Sequence, residues 1–146
     1  MVDHISAERR SWLMSRVRGK DTKPEMVVRR IAHALGYRFR LHRKDLPGRP
    51  DLTFPRLRKV VFVHGCFWHR HGCRKTTTPK SNVDFWLEKF RRNVERDAQA
   101  VEALRATGWN ELVIWECETR DPDALAERLE RFLRDERHVQ SLEQAA

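Results

Sequence analysis

Eight residues, Cys66 to Cys73, hold two of the chain's three cysteines, two histidines and two adjacent aromatics: Cys-Phe-Trp-His-Arg-His-Gly-Cys. Thiolates and imidazoles are the groups that zinc takes, four at a time in a tetrahedron. Cys66, His71 and Cys73 offer three such groups and Cys117 a fourth, with His69 able to replace His71. Three cysteines cannot pair without remainder, and a reducing compartment disfavours a structural disulfide. The Cys-x4-His-x-Cys spacing is not that of a zinc finger. Buried, inert cysteines are the plainer reading, but the polar loop around Cys66 and Cys73 weighs against it. A structural Zn²⁺ would pin a loop with little apolar mass of its own.

A second set of residues suggests hydrolysis. Asp51 opens a strand after a basic loop, and a carboxylate there is a hard ligand for Mg²⁺. His64 and His69 flank the same region, and imidazole moves protons near neutral pH. A lone aspartate at a strand start is more often a turn former; the two histidines shift the reading towards catalysis. Phe67, Trp68 and Trp86 are candidate wedges for opening a base step.

The elements that must position these groups follow from pattern. Val60 to Val63 reads as a buried strand ending at His64 and Gly65. Thr22-Lys23-Pro24-Glu25 is a capping box that starts a helix running to Leu35, with Val27, Ile31 and Leu35 on one face. Tyr37, Phe39 and Leu41 alternate with Arg38, Arg40 and His42, as in a half-buried strand with a basic outer face. Asp51 to Phe54 is a short strand. Antiparallel pairing with the next strand would bring Asp51 to the Val63/His64 end. Ser81 can cap a helix over residues 83–107 with Leu87, Phe90, Val94, Ala98 and Val101 inward. Trp109 to Cys117 reads as a fully buried strand. Asp121-Pro122 starts a last helix, with Leu125, Leu129, Phe132 and Leu133 inward. Residues 7–18 carry Trp12, Leu13, Met14 and Val17 among four arginines and read as an arm ordered by a partner; residues from 138 on read as a frayed tail.

The chain has 146 residues and net charge +9, unevenly placed. Residues 1–50 hold 13 Lys/Arg against 5 Asp/Glu, residues 51–100 hold 11 against 5, and residues 101–146 hold 6 against 11. The basic excess lies in the first two thirds and implies a polyanion face there. No apolar run approaches the ~18 residues of a membrane span, and the first ten residues are polar and charged rather than a secretory signal. These features predict one domain over 1–146 and a cytoplasmic, soluble protein.

Several runs together resemble the very-short-patch repair (Vsr) DNA mismatch endonucleases: Gly19 to Glu25, Pro47 to Leu52, Val61 to His69, Phe85 to Lys89, Asn93 to Asp97 and Val113 to Cys117. The likeness extends to about Arg134. It implies a restriction-endonuclease-like α/β fold, a central mixed sheet flanked by helices with a zinc-stapled loop. It implies Mg²⁺-dependent nicking of one strand, 5′ to the thymine of a T:G mismatch left by deamination of 5-methylcytosine. By the resemblance, Asp51 and the Val63 main-chain carbonyl hold Mg²⁺. His69 is the essential histidine, and His64 and Glu25 have supporting roles. Cys66, His71, Cys73 and Cys117 bind structural Zn²⁺. Phe67, Trp68 and Trp86 intercalate, and Met14 enters from the other groove. Residues 1–20 become a DNA-contacting arm and residues 138–146 a flexible tail. The partner is double-stranded DNA with a T:G mismatch, and one nick needs only a monomer, at the nucleoid. His69 is left with two roles, proton transfer or positioning of the phosphate.

Two other classes compete. A DNA-binding zinc module without catalysis would explain charge, cysteines and aromatics but not the grouping of Asp51, His64 and His69. A His-based nuclease of another kind would use a histidine as base and have no need of Asp51. The absence of the H-x-E and P-C-x-x-C motifs weighs against a zinc nucleobase deaminase.

Overall fold

A computed structural model describes residues 21–66, 69–73 and 78–135. In chain order the elements are α1 (Lys23–Ala34), β1 (Arg40–Leu41), β2 (Leu52–Phe54), β3 (Lys59–His64), α2 (Val83–Ala106), β4 (Asn110–Trp115), a 3-10 turn (Glu116–Arg120) and α3 (Pro122–Arg134). The arm over residues 1–20 with Met14, the aromatics Phe67 and Trp68, and the tail from 138 lie outside the described residues.

The strands form one mixed four-stranded sheet in the order β1-β2-β3-β4. β1/β2 and β2/β3 are antiparallel, and β3/β4 is parallel, with α2 as the crossover that a parallel pair requires. Alternation along β3 divides the core. Val61 packs with Val28, Ala32, Leu52, Phe54, Ile114, Leu125, Leu129 and Leu133. Val60 and Phe62 pack with Leu104 of α2. The sheet therefore lies between α1 with α3 on one face and α2 on the other. This is an α/β architecture, a mixed sheet flanked by helices.

Several local expectations change. The helix capped by Thr22 forms, but its fully buried stripe is Glu25, Val28 and Ala32, with Val27, Ile31 and Leu35 only partly covered. The basic-faced strand shrinks to two residues, although Tyr37 and Phe39 do turn inward, edge-on to Phe54. α2 is capped at Asn82 rather than Ser81, and Leu87 and Val94 of its expected core stripe are exposed. About seven turns of pattern cannot say how much of a long helix overhangs a sheet only four strands wide. β4 is half-buried, with Ile114 alone fully covered, because it is an edge strand and not a central one.

Lys59, at the start of β3, is 2% exposed. Its Nζ donates to the carbonyls of Phe132, Leu133 and Asp135 at 2.7, 3.1 and 2.7 Å. A buried ammonium thus satisfies the orphan carbonyls at the end of α3 and complements the helix dipole. Lys59→Met keeps the stem and leaves those carbonyls unpaired. It is expected to cost about 2–4 kcal/mol, seen as a lower urea midpoint at unchanged m-value. An unchanged midpoint would show that water serves the carbonyls equally well.

Candidate active site and metal cluster

The loop before β2 sets the position of Asp51. Gly48 has φ +74, and a Cβ there would sit 2.7 Å from Ala100 Cβ and 3.1 Å from the Phe62 ring. Only glycine lets this backbone lie on α2 in that conformation. The chain then enters β2, whose register pairs Leu52 with Val61. Asp51 Oδ2 accepts the Val63 N–H at 2.7 Å, so the antiparallel register expected from the pattern brings these two residues together.

Near Asp51 stand Glu25 of α1 and His42 of the loop after β1. Glu25 is 2% exposed. Its Oε2 accepts from the Asp21 N–H, Arg29 Nη2 and His42 Nε2, each at 3.0 Å. The capping box is thus altered: Thr22 Oγ1 accepts the Glu25 N–H at 3.4 Å, but the glutamate reaches back to Asp21 instead of Thr22. His42 Nε2 also lies 4.0 Å from Asp51 Oδ1. Burial raises the Asp51 pKa to about 7, aided by the nearby Glu25 charge and opposed by the Val63 N–H and His42. A carboxylate so poor in positive neighbours suits a cation.

On the other face of β3 the imidazoles gather. The His64 and His69 rings stack at 3.8 Å with 6° between planes. His69 Nδ1 meets Asp97 Oδ2 of α2 at 2.5 Å. A carboxylate oxygen accepts, so Nδ1 carries the proton and Nε2 is the ring's acceptor. Burial lowers the His64 pKa to about 4, with the adjacent His69 lowering it further and Asp97 opposing, so this ring is neutral at pH 7. Asp97 was missed as a site residue. Its only sequence signal was membership of the Asn93-to-Asp97 run, because helix periodicity alone gives it no role. A cavity of about 550 Å³ opens beside these groups, lined by Val94, Ala98, Val101, Val113 and Trp115.

The four sulfur and nitrogen ligands expected from sequence do converge. Cys66, His71, Cys73 and Cys117 each offer an atom within 4.8 Å of the others. His71 Nδ1 lies 3.6 Å from Cys66 Sγ and 3.5 Å from Cys117 Sγ. His69, the alternative ligand, is instead held by Asp97. Cys117 sits in the 3-10 turn just past β4 rather than within the strand. Burial pushes the Cys66 thiol up to about 12, so it stays protonated unless a metal binds. Trp86 is buried at 7% exposure against Phe90, while its neighbour Phe85 is 62% exposed.

Carboxylates and imidazoles on both faces of one strand end, beside a Cys/His cluster, can carry out metal-assisted hydrolysis of a polyanion. Comparison with known proteins narrows this class. The family model for DNA mismatch endonuclease Vsr matches residues 2–75. The nicking enzyme V.XorIIP of Xanthomonas oryzae pv. oryzae is 54% identical over 133 residues, covering 91% of this chain and 98% of that protein. The nicking enzyme V.NmeAIP of Neisseria meningitidis is 42% identical over 135 residues, 92% of this chain and 96% of its own length. The DNA mismatch endonuclease Vsr of Escherichia coli is 38% identical over 138 residues, 91% of this chain and 88% of its own. The chain belongs to the Vsr family of DNA mismatch endonucleases. It is a DNA endonuclease, which sets aside the zinc module without catalysis. No helix among the described residues is long and apolar enough to cross a membrane.

Asp51 generates a pH signature. Its pKa rises on folding from 3.8 to about 7, so the native chain keeps a proton that the unfolded chain loses. Its contribution to stability is complete below pH 4 and is lost as pH rises through 7. In metal-free protein, Asp51→Asn should gain on the wild type by on the order of 4 kcal/mol between pH 4 and 8. Parallel stability–pH curves from denaturant titrations would contradict this environment for Asp51.

Proposed function

We propose that this endonuclease nicks one strand of a duplex 5′ to the thymine of a T:G mismatch, with Mg²⁺ held by Asp51 and the Val63 carbonyl. The observation that carries the reading is the Asp51–Val63 contact at 2.7 Å, with Glu25 on one side and the His64–His69–Asp97 set at the same strand end. A buried carboxylate with its pKa near 7 and a second carboxylate nearby fits a hard divalent cation. When bound, Mg²⁺ would activate water and stabilise charge on the departing oxygen. Asp97 fixes the His69 ring so that Nε2 can carry a proton to or from an oxygen at the scissile phosphate, which favours proton transfer over mere positioning. His64 stays neutral and stacks behind that ring. Glu25 orders water near Asp51.

The recognition parts complete the proposal. Phe67, Trp68 and Met14 would wedge into the mismatched step, which is easier to open than a paired one. Trp86 would join them by giving up its packing on Phe90, with exposed Phe85 on the same helical turn. The basic first two thirds of the chain would meet the phosphates, residues 1–20 as an arm. Cys66, His71, Cys73 and Cys117 would bind Zn²⁺. A tetrahedral centre with its usual bond lengths sets sulfur and nitrogen about 3.6 Å apart, and the observed separations are 3.5 and 3.6 Å. The whole is read as a restriction-endonuclease-like domain acting as a monomer at the nucleoid, with residues 138–146 as a tail.

A labelled duplex with one T:G pair, compared with the same duplex carrying C:G, tests the reaction. The expected product is a single nick beside the thymine with a 5′-phosphate, absent in EDTA and with Ca²⁺. Asp51→Ala should abolish it with binding retained, and His69→Ala should slow it about 10²–10⁴-fold. Nicking by Asp51→Ala at the wild-type rate, or in EDTA, would end the proposal. For the Cys/His cluster, elemental analysis should find about one zinc per chain, and Cys117→Ser should lose both metal and thermal stability. A zinc-free wild type of full stability would rule that site out.

A further inference from the structure

Arg29 and His42 take no part in the chemistry set out above, yet both converge on Glu25. We propose that Arg29 and His42 are positioning residues that hold Glu25 as the second carboxylate of the cation site at Asp51, and so set its affinity for Mg²⁺. The inference rests on the Mg²⁺ reading of the preceding section.

Arg29 lies one helical turn beyond Glu25 and its side chain is 12% exposed. One nitrogen, Nη2, reaches Glu25 Oε2 at 3.0 Å and Asp21 Oδ1 at 2.6 Å. Its guanidinium thereby fills the place that a cation could take among Asp21, Glu25 and His42. His42 comes from the edge of the sheet, its Nε2 3.3 Å from Arg29 Nη2. It follows β1 with φ +47, a conformation unusual for a side-chain-bearing residue. Its own N–H donates to the Asp51 carbonyl at 3.3 Å while Nε2 meets Glu25 Oε2 at 3.0 Å. His42 thus touches both carboxylate residues, one through its backbone and one through its ring.

Three donors among the described residues meet one Glu25 oxygen, Oε2. An sp² oxygen has two lone pairs, so three donors use its capacity fully. The same carboxylate also hydrogen-bonds the Asp51 side chain, whose pKa it helps to push up to about 7. Packing alone does not account for Arg29. Its Nε is buried without a partner, a cost that native proteins keep where geometry matters more than stability. Outer partners of this kind govern metal affinity through the orientation of the ligand they hold.

The test is Mg²⁺ binding by the full chain without DNA, followed by tryptophan fluorescence and by the Mg²⁺-induced rise in melting temperature. Arg29→Met and His42→Ala should raise the Mg²⁺ midpoint about 10–100-fold, the usual effect of losing such a partner. His42→Gln keeps an amide donor and should restore most of the affinity. In a Glu25→Gln background, Arg29→Met should add no further loss, because both act through one carboxylate. Nicking by the single variants should recover at high Mg²⁺. If Arg29→Met fails to fold, Arg29→Lys, which loses the planar fork, serves in its place. A tighter Mg²⁺ midpoint in Arg29→Met would show that Arg29 only neutralises charge, and would overturn the proposal. So would unchanged midpoints, or losses that add in full to Glu25→Gln. A wild type that does not respond to Mg²⁺ would overturn the Mg²⁺ reading itself, a result distinct from the others.

Discussion

The bond from the Val63 N–H to Asp51 Oδ2 is the constraint on which the rest of the site depends. It joins the mouth of β2 to the last turn of β3, and it exists only in one register. A slip of one residue would turn Val61 and Leu52 out of the core and carry Asp51 to the wrong face. Burial enforces that register, since all three residues of β2 are fully covered. Gly48 enforces it again from outside by letting the preceding loop lie against Ala100 and Phe62. The site is accurate because ordinary core packing leaves the backbone no other arrangement.

From that bond the functional groups divide according to the pleat. Residues facing α1 bring a carboxylate network of Glu25, Asp51, His42 and Arg29. Residues facing α2 bring His64, His69 and Asp97. The two sets carry opposite electrical burdens. Asp51 is held where ionisation is unfavourable, and His64 where protonation is unfavourable. Both buried groups are pushed towards neutrality, and two stacked imidazoles repel if both are charged. Such an arrangement costs stability in the free chain and leaves it prepared for a cation on one side and a proton on the other.

Much of this was legible in the sequence because it depends on local pattern. The Asp51-to-Val63 approach followed from two short strands and a turn, and the ligand set from counting cysteines. The less legible parts depend on tertiary geometry. Glu25 looked like a capping residue, yet its place on the 25–28–32 stripe of α1 marks a carboxylate pointing into the core, and that signal could have been read. Asp97 could not be found by period, since its partner lies 28 residues away across a loop. The apolar stripe of α2 was real, but part of it overhangs the sheet and lines an open cavity instead of a core. Arg29 and His42 carry no motif at all; their meaning appears only when the helix and the edge strand are brought together.

The described residues of the loop after β3 are held by contacts to a helix and a strand. Cys66 is fully buried at one end of Phe67-Trp68, and His69 is tied to Asp97 at the other. Beyond it, Arg70 lies over the Phe90 ring at 4.1 Å and donates to Thr78 Oγ1 at 2.8 Å. The His71 ring stacks on Trp115 at 4.3 Å. These contacts reach α2 and β4, the two elements that also carry Asp97 and lead into Cys117. The same contacts that bring the Cys/His cluster together therefore also hold His69, Arg70 and His71 against α2 and β4. A change at Cys117 would reach His64 and His69 through this loop without touching them, so the Cys/His cluster and the candidate active site form one mechanical unit.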